Sequence, residues 1–255
     1  MKQFKFNYIL LLFSLLFLTS CSSDDDSDSN NDPKAENVKS LGVSAEDLLA
    51  NNTYSSLTVE FAFSQGLRPR QETLDAFRVF LEERINKPGG IEFVETEIST
   101  PLVDTQSISE IREIEAEQRN YYTVGDDISV FIYFSHAKSD GDTEATKTLG
   151  TAYYNTSLVV FEQTLRNLNI SQGFDLFILE ETTLQHEFSH LLGLVNIRGD
   201  DIHNDHEDTS HSNHCMVEDC LMYYASNKTS YFRNRNTVPE LDPLCIEDLQ
   251  AKGGK

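Results

Sequence analysis

Two histidines four residues apart frame the segment His186-Glu187-Phe188-Ser189-His190, and six of the chain's seven histidines fall between residues 186 and 214. On an α-helix, at roughly 100° per residue, His186 and His190 lie about 40° apart, one turn above the other. Leu184, Phe188, Leu191 and Leu192 gather on the opposite side, an apolar stripe suited to a core. Such a segment admits little besides a helix with one face in a core, two imidazoles on the other, and Glu187 at the boundary. Gly193, three residues after His190, stands where a helix commonly ends in a left-handed turn that glycine enters cheaply. An ordinary amphipathic core helix with two exposed histidines would share the pattern. The separation of the faces favours H-E-x-x-H as a metal motif, in which two imidazoles and a base serve one ion.

The N-terminus reads as a targeting segment. Lys2 and Lys5 precede an apolar run, Tyr8 to Leu18, that is too short to span a bilayer comfortably. Leu18-Thr19-Ser20-Cys21 resembles a bacterial lipobox, which makes residues 1–20 a signal peptide and Cys21 the lipidated N-terminus of the mature chain. Acyl chains on Cys21 would anchor the protein to a membrane without spanning it. Residues 21–36 are dominated by serine, aspartate and asparagine, a composition that buries nothing and serves as a disordered tether. Acidic residues just behind the lipidated cysteine resemble surface-export signals of some Gram-negative lipoproteins, so the expected location is the cell envelope, at the outer membrane or cell surface. The formal net charge is −22 and becomes −24 once Lys2 and Lys5 leave with the signal. That balance argues against nucleic acid and anionic membrane surfaces as partners of the body of the protein. Residues 37–255 suffice for one well-cored domain.

Along that body no internal repeat is evident. Leu57, Val59, Phe61 and Phe63 alternate with Thr58, Glu60 and Ala62, which predicts a half-buried strand. Gln71 to Ile85 carries Leu74, Phe77, Leu81 and Ile85 at helical spacing, and Pro88-Gly89-Gly90 breaks the chain ahead of a strand at Ile91 to Val94. Ser107 to Arg119 predicts a second helix, and the nearly continuous apolar run Ile128 to Phe134 an interior strand. Asp140-Gly141-Asp142 reads as a turn, followed by short strands at Leu149 to Tyr153 and Ser157 to Phe161. The histidine helix is expected to start near Glu180, with an acidic first turn suited to the helix dipole, and to be followed by an irregular tail. The fold class is α+β (mixed α/β).

Hydrolytic zinc usually takes three protein ligands and leaves a fourth position for water. His186 and His190 supply two, and Glu187 is placed to act as general base toward a zinc-activated water and then as acid toward a leaving amine. For the third ligand His203, His206, His211 and His214 are all available downstream; His203 reads as a solvated loop residue.

His186 to Gly193 resembles the opening of the metzincin motif, H-E-x-x-H-x-x-G-x-x-H/D. His214-Cys215, four residues, then Cys220-Leu221-Met222 resembles the H-C-x4-C-x-M portion of archaemetzincins. The resemblance spans about residues 186–224. It implies a twisted, mostly parallel sheet with an active-site helix, one catalytic Zn2+, and peptide-bond hydrolysis on a peptide or protein substrate. It implies His214 as third ligand, Met222 as the Met-turn methionine beneath the metal, and Tyr224 as a residue able to approach the transition state. In such folds an edge strand, here Leu149 to Tyr153, aligns an extended peptide by β-augmentation.

This chain departs from the pattern in two places. Asn196 stands where metzincins place the third ligand, and a neutral amide is a poor zinc ligand; residues 197–213 read as an insertion that displaces the role to His214, with His206 the serious alternative and His211 behind it. Archaemetzincins also hold a structural zinc with four cysteines, whereas here Asp248 stands at the fourth position, behind Cys215, Cys220 and Cys245. A Cys215–Cys220 disulfide competes with a second zinc in an oxidising compartment. Two other functions remain: a non-catalytic zinc-binding surface lipoprotein, and a decayed protease homologue serving as an adhesin, which the intact Glu187 argues against.

Overall fold

Apolar β-branched and aromatic runs form the centre of a five-stranded sheet, and the polar-flanked segments form its rims. In the computed structural model, which describes residues 34–144, 146–227, 229–233 and 235–255, the elements follow in this order: α1 (Ala45–Leu49), β1 (Ser56–Ser64), α2 (Gln71–Arg84), β2 (Gly90–Ile98), β3 (Thr105–Gln106), α3 (Ile108–Gln118), β4 (Asp127–Phe134), β5 (Lys138–Ser139), β6 (Gly150–Tyr154), β7 (Ser157–Val160), α4 (Glu162–Gln172), α5 (Leu176–Leu191), α6 (Thr229–Phe232) and α7 (Pro243–Ala251). The expected signal peptide, Cys21 and most of the tether lie outside the described residues. Among the described residues no helix is long and apolar enough to cross a membrane.

The strand order is β2-β1-β4-β7-β6; the first four run parallel and β6 lies antiparallel to β7 at one edge. The class is therefore mixed α/β with a mostly parallel sheet. Because β2 and β4 flank β1 on opposite sides, crossovers of one hand must put α2 and α3 on opposite faces. The side chains agree. Leu57, Val59, Phe61, Ile128, Val130, Ile132, Leu158 and Val160 point to a core shared with Leu74 and Phe77 of α2 and Phe188 of α5. Ala62, Phe131, Tyr133 and Val159 point the other way, to Ile111 and Ile114 of α3.

β1 corrects the half-buried expectation: from Leu57 to Ser64 every residue is buried, because neighbours cover it on both edges and helices on both faces. Its buried Glu60 is satisfied by the backbone N–H groups of Asn120 and Tyr121 and by the Asn120 side chain. At α3, Ser107 and Glu110 form a reciprocal capping box, the sequence signature of a helix start. Just beyond its other end, Arg119 donates to Glu115 at 2.7 Å, to the Ser129 carbonyl at 2.8 Å and to the Tyr121 carbonyl at 2.7 Å, tying α3 to the sheet.

The histidine helix starts earlier than expected. Asp175 caps α5 by accepting from the Phe177 N–H, so the first turn holds no acid, and Glu180 and Glu181 are buried in the second. The C-terminal segment is also more ordered than expected, since Asp242 caps α7 through the N–H groups of Leu244 and Cys245.

Candidate metal centre

Both faces of α5 are buried near its C-terminal end: Phe188, Leu191 and Leu192 against the sheet, and His186, Glu187 and His190 under the chain that returns after the helix. The helix stops where Gly193 adopts φ +83°. The inserted segment then leaves and comes back, held by three backbone hydrogen bonds: Asp208 N–H to the His214 carbonyl, Met216 N–H to the His206 carbonyl, and Cys215 N–H to the Met222 carbonyl, each 2.8 Å. That return sets His214 over the two helix histidines. The ring centroids of His186 and His190 are 4.8 Å apart, and each is 5.4 Å from that of His214.

The protons of these rings are fixed by acceptors that have none of their own. His186 Nδ1 lies 2.8 Å from the Leu221 carbonyl, His190 Nδ1 2.9 Å from the Leu194 carbonyl, and His214 Nδ1 2.9 Å from the Ser212 carbonyl. Each Nδ1 must therefore donate, which leaves Nε2 as the lone-pair nitrogen. His186 Nε2 and His190 Nε2 face each other at 3.2 Å, and one ring nitrogen from each of the three lies within 4.8 Å of the others. Lone pairs so close repel unless a cation lies among them, and imidazole N–H groups anchored to carbonyls are the usual outer support of a metal site. The donor set fits zinc.

Burial lowers the pKa of all three rings. For His186 it falls well below the ordinary value, with His190 and His214 adding to the effect; for His190 it falls to about 4. The rings are neutral at pH 7, as ligands must be. Burial pushes the Glu187 carboxyl up to about 7, against the opposing hydrogen bond from the Ala152 N–H. Its Oε2 accepts that bond at 2.9 Å, which links the carboxylate to the edge strand β6. Gly150, two residues earlier, allows the approach: a Cβ there would lie 2.7 Å from Glu187 Cγ and 2.8 Å from Thr183 Cγ2.

The remaining sequence candidates are dispersed. His211 is exposed, pairs with Asp208 at 2.7 Å and stacks on the Tyr224 ring with centroids 3.5 Å apart. His206 is buried away from the three imidazoles, against Asp248, Cys215 and Cys245, which removes it as their partner. His203, expected to be solvated, donates its N–H to Asp248 and pairs through Nε2 with Glu247 at 2.8 Å. Asn196 bonds Glu207 and Asp201. Cys215, Cys220 and Cys245 are free thiols, so the Cys215–Cys220 disulfide is not formed. The carbonyls of Leu194 and Leu221, the Ala152 N–H and Gly150 escaped sequence reasoning, because backbone partners carry no residue signature.

No family model and no curated protein matches the sequence. Among solved structures, archaemetzincin from Methanopyrus kandleri superposes with a TM-score of 0.51 at 16% identity, over 78% of this chain and 96% of that one. A zinc-dependent peptidase from Methanocorpusculum labreanum gives 0.46 at 16% identity, over 75% and 99%, and metalloproteinase-II from Bacteroides fragilis gives 0.45 at 13%, over 80% and 54%. The first likeness establishes a shared fold with archaemetzincin; the other two superpositions are too loose to add to it.

Proposed function

We propose that this chain is a zinc metallopeptidase, with His186, His190 and His214 as ligands and Glu187 as general base and acid. The observation that carries the proposal is the convergence of three neutral imidazoles, their protons held by backbone carbonyls, beside one buried carboxyl that titrates near neutrality. Bound there, zinc would polarise a peptide carbonyl and acidify a water molecule. Glu187 keeps Oε2 on the Ala152 N–H, which leaves Oε1 to take a proton from the attacking water and pass it to the leaving amine. The Leu221 carbonyl orients His186, and the buried Met222 behind it takes the place of the Met-turn methionine. Tyr224, stacked on His211, is assigned to the transition state. β6, which pairs with β7 at the end of the sheet order, offers its outer edge to an extended peptide.

The same reading extends to the N-terminus: a signal at residues 1–20, a lipid anchor on Cys21, and a domain from residue 37 exposed at the cell envelope. Cys21→Ser should release the protein from the membrane fraction; a variant that stays there contradicts the anchor.

The test of the catalytic claim is Glu187→Gln in the full chain. Zinc content at the triad should be retained while cleavage of a broad peptide library falls by about 10²–10⁴-fold. A zinc-loaded wild type that cleaves nothing would leave only metal capture, and a variant as active as wild type would remove Glu187 from the chemistry.

A further inference from the structure

Two fully buried carboxyls take no part in the proposed chemistry: Glu162, which opens α4, and Glu180, in the second turn of α5. Glu162 Oε1 accepts from Arg166 Nε at 2.6 Å, and the same guanidinium reaches the carbonyls of Gly66 and Arg68 at 2.8 and 2.9 Å. Glu180 Oε2 accepts from the Arg70 N–H at 3.2 Å and from the Thr73 hydroxyl. One oxygen of each carboxyl is thus provided for. The others, Glu162 Oε2 and Glu180 Oε1, are buried and meet no N–H or hydroxyl donor.

What the two carboxyls meet is each other, since they hydrogen-bond between α4 and α5. Carboxylates only accept, so that bond requires a proton on one of them. The charges agree with a single proton. Arg166 is the cation that faces the pair. With one proton the three groups sum to zero. With none, an uncompensated negative charge lies where water does not reach; with two, the guanidinium loses its counter-charge.

The other charges around the pair are turned elsewhere. Arg68 is paired with Glu95 and Arg70 with Glu72, each at 2.5 Å and partly exposed. Glu181, beside Glu180 on α5, accepts from Gln185 at 2.6 Å, and its own carboxyl is raised by burial and by the Glu180 charge. Burial likewise raises both members of the pair. Glu162 rises to about 8, with the Glu180 charge adding to burial and Arg166 opposing it. Glu180 rises against the bonds from Thr73 and Arg70.

We propose that Glu162 and Glu180 share one proton and form an acid latch, which fastens α5 to α4 and to the start of α2 and loosens when that proton leaves to solvent. Arg166 extends the latch to the turn between β1 and α2 through the Gly66 and Arg68 carbonyls. The helix so held is the one that presents His186 and His190 toward its other end. Like charges sharing one dry site cannot both ionise cheaply, which is why the proton stays at neutral pH.

The test is the pH slope of unfolding in the full chain carrying Glu181→Gln, which removes the neighbouring titration. The folded pair holds its proton up to about pH 8, whereas the unfolded chain releases it near 4.5, so the stabilisation is complete below 4.5 and lost as pH rises to 8. Between those values this proton should raise the unfolding constant about tenfold per pH unit. Glu162→Gln, or Glu180→Gln should the first not fold, puts an amide N–H in the proton's place and keeps one carboxylate for Arg166. The slope should then fall by that tenfold per unit. Above about pH 8, amide exchange in α4 and the start of α5 should be faster in the parent than in the substituted chain at the same pH. A third measurement leaves the pair intact: in a chain with Glu181→Gln and Glu187→Gln, the infrared carbonyl stretch of a protonated carboxyl should persist at pH 7 and vanish by about pH 9.5. None of these readings involves zinc or cleavage, so they stand apart from the peptidase proposal. Equal slopes in parent and substituted chain, equal exchange, or no such stretch at pH 7 would each overturn the assignment.

Discussion

The backbone N–H of Ala152 donates to Oε2 of Glu187 across 2.9 Å, so the edge strand and the buried carboxylate fix one another. The contact joins the two parts of the proposed chemistry, the strand that would align a peptide and the group that would move its proton. It exists because Gly150 leaves room for the Glu187 side chain.

Gly150→Ala should therefore act on Glu187 without touching the imidazoles. A new Cβ would stand 2.7 Å from Glu187 Cγ, 2.8 Å from Thr183 Cγ2 and 3.1 Å from the Val159 carbonyl. Overpacking of this kind costs about 1–3 kcal/mol, and a displacement near 1 Å at a reacting group lowers rate by about 100-fold. Denaturant melts and peptide-cleavage rates, measured at equal zinc content, check the expectation. Unchanged kinetics would show that Glu187 does not depend on this approach.

The elements with strong periodicity were legible in the sequence. β4 was readable because its apolar run is nearly continuous, and α3 because its periodicity matched what the Ser107–Glu110 box confirms. β1 looked half-buried because Thr58 and Glu60 alternate with apolar residues. Only the tertiary setting shows Glu60 satisfied by the 120–121 backbone. Glu180 and Glu181 imitate a dipole-stabilised first turn and so hide the true start of α5, whose cap is Asp175. In the site, the pairing of His186 with His190 follows from helical spacing, whereas the choice of His214 rests on the resemblance of residues 214–222 to archaemetzincins. No local pattern could separate His206 and His211 from it, since the path of residues 197–213 is set by backbone bonds such as that of Met216 to His206.

Arg119 offers a test of the architecture that positions the sheet beneath the site. Its guanidinium is fully buried, paired with Glu115 and bonded to the carbonyls of Tyr121 and Ser129. Removing one partner of a buried pair leaves the other charge uncompensated, at about 3–5 kcal/mol. Arg119→Ala should lose that much stability in urea titration. A loss below about 1 kcal/mol would mean that water reaches Glu115 in its place.

Glu181 predicts a pH dependence. Burial raises its carboxyl from 4.5 to about 8, outweighing the hydrogen bond from Gln185, and its Oε2 has no hydrogen-bond partner. The folded chain holds this proton up to about pH 8, whereas the unfolded chain releases it near pH 4.5. The stabilisation is therefore complete below about pH 4.5 and is lost as pH rises to 8. Glu181→Gln should be more stable than wild type at pH 8.5 by ~2–4 kcal/mol and nearly equal to it at pH 4.5. Melting curves at the two pH values check it, and a stability difference that does not change with pH would contradict the assignment.

The central claim is that His214, returned by the inserted segment, completes a zinc site with His186 and His190. Diffraction from a zinc-loaded crystal at the zinc absorption edge tests it most directly. The account predicts an anomalous peak about 2.0–2.1 Å from a ring nitrogen of each of the three histidines, beside the Glu187 carboxylate. A peak at the helix pair completed by His211 or His206, or no peak there at all, would contradict it.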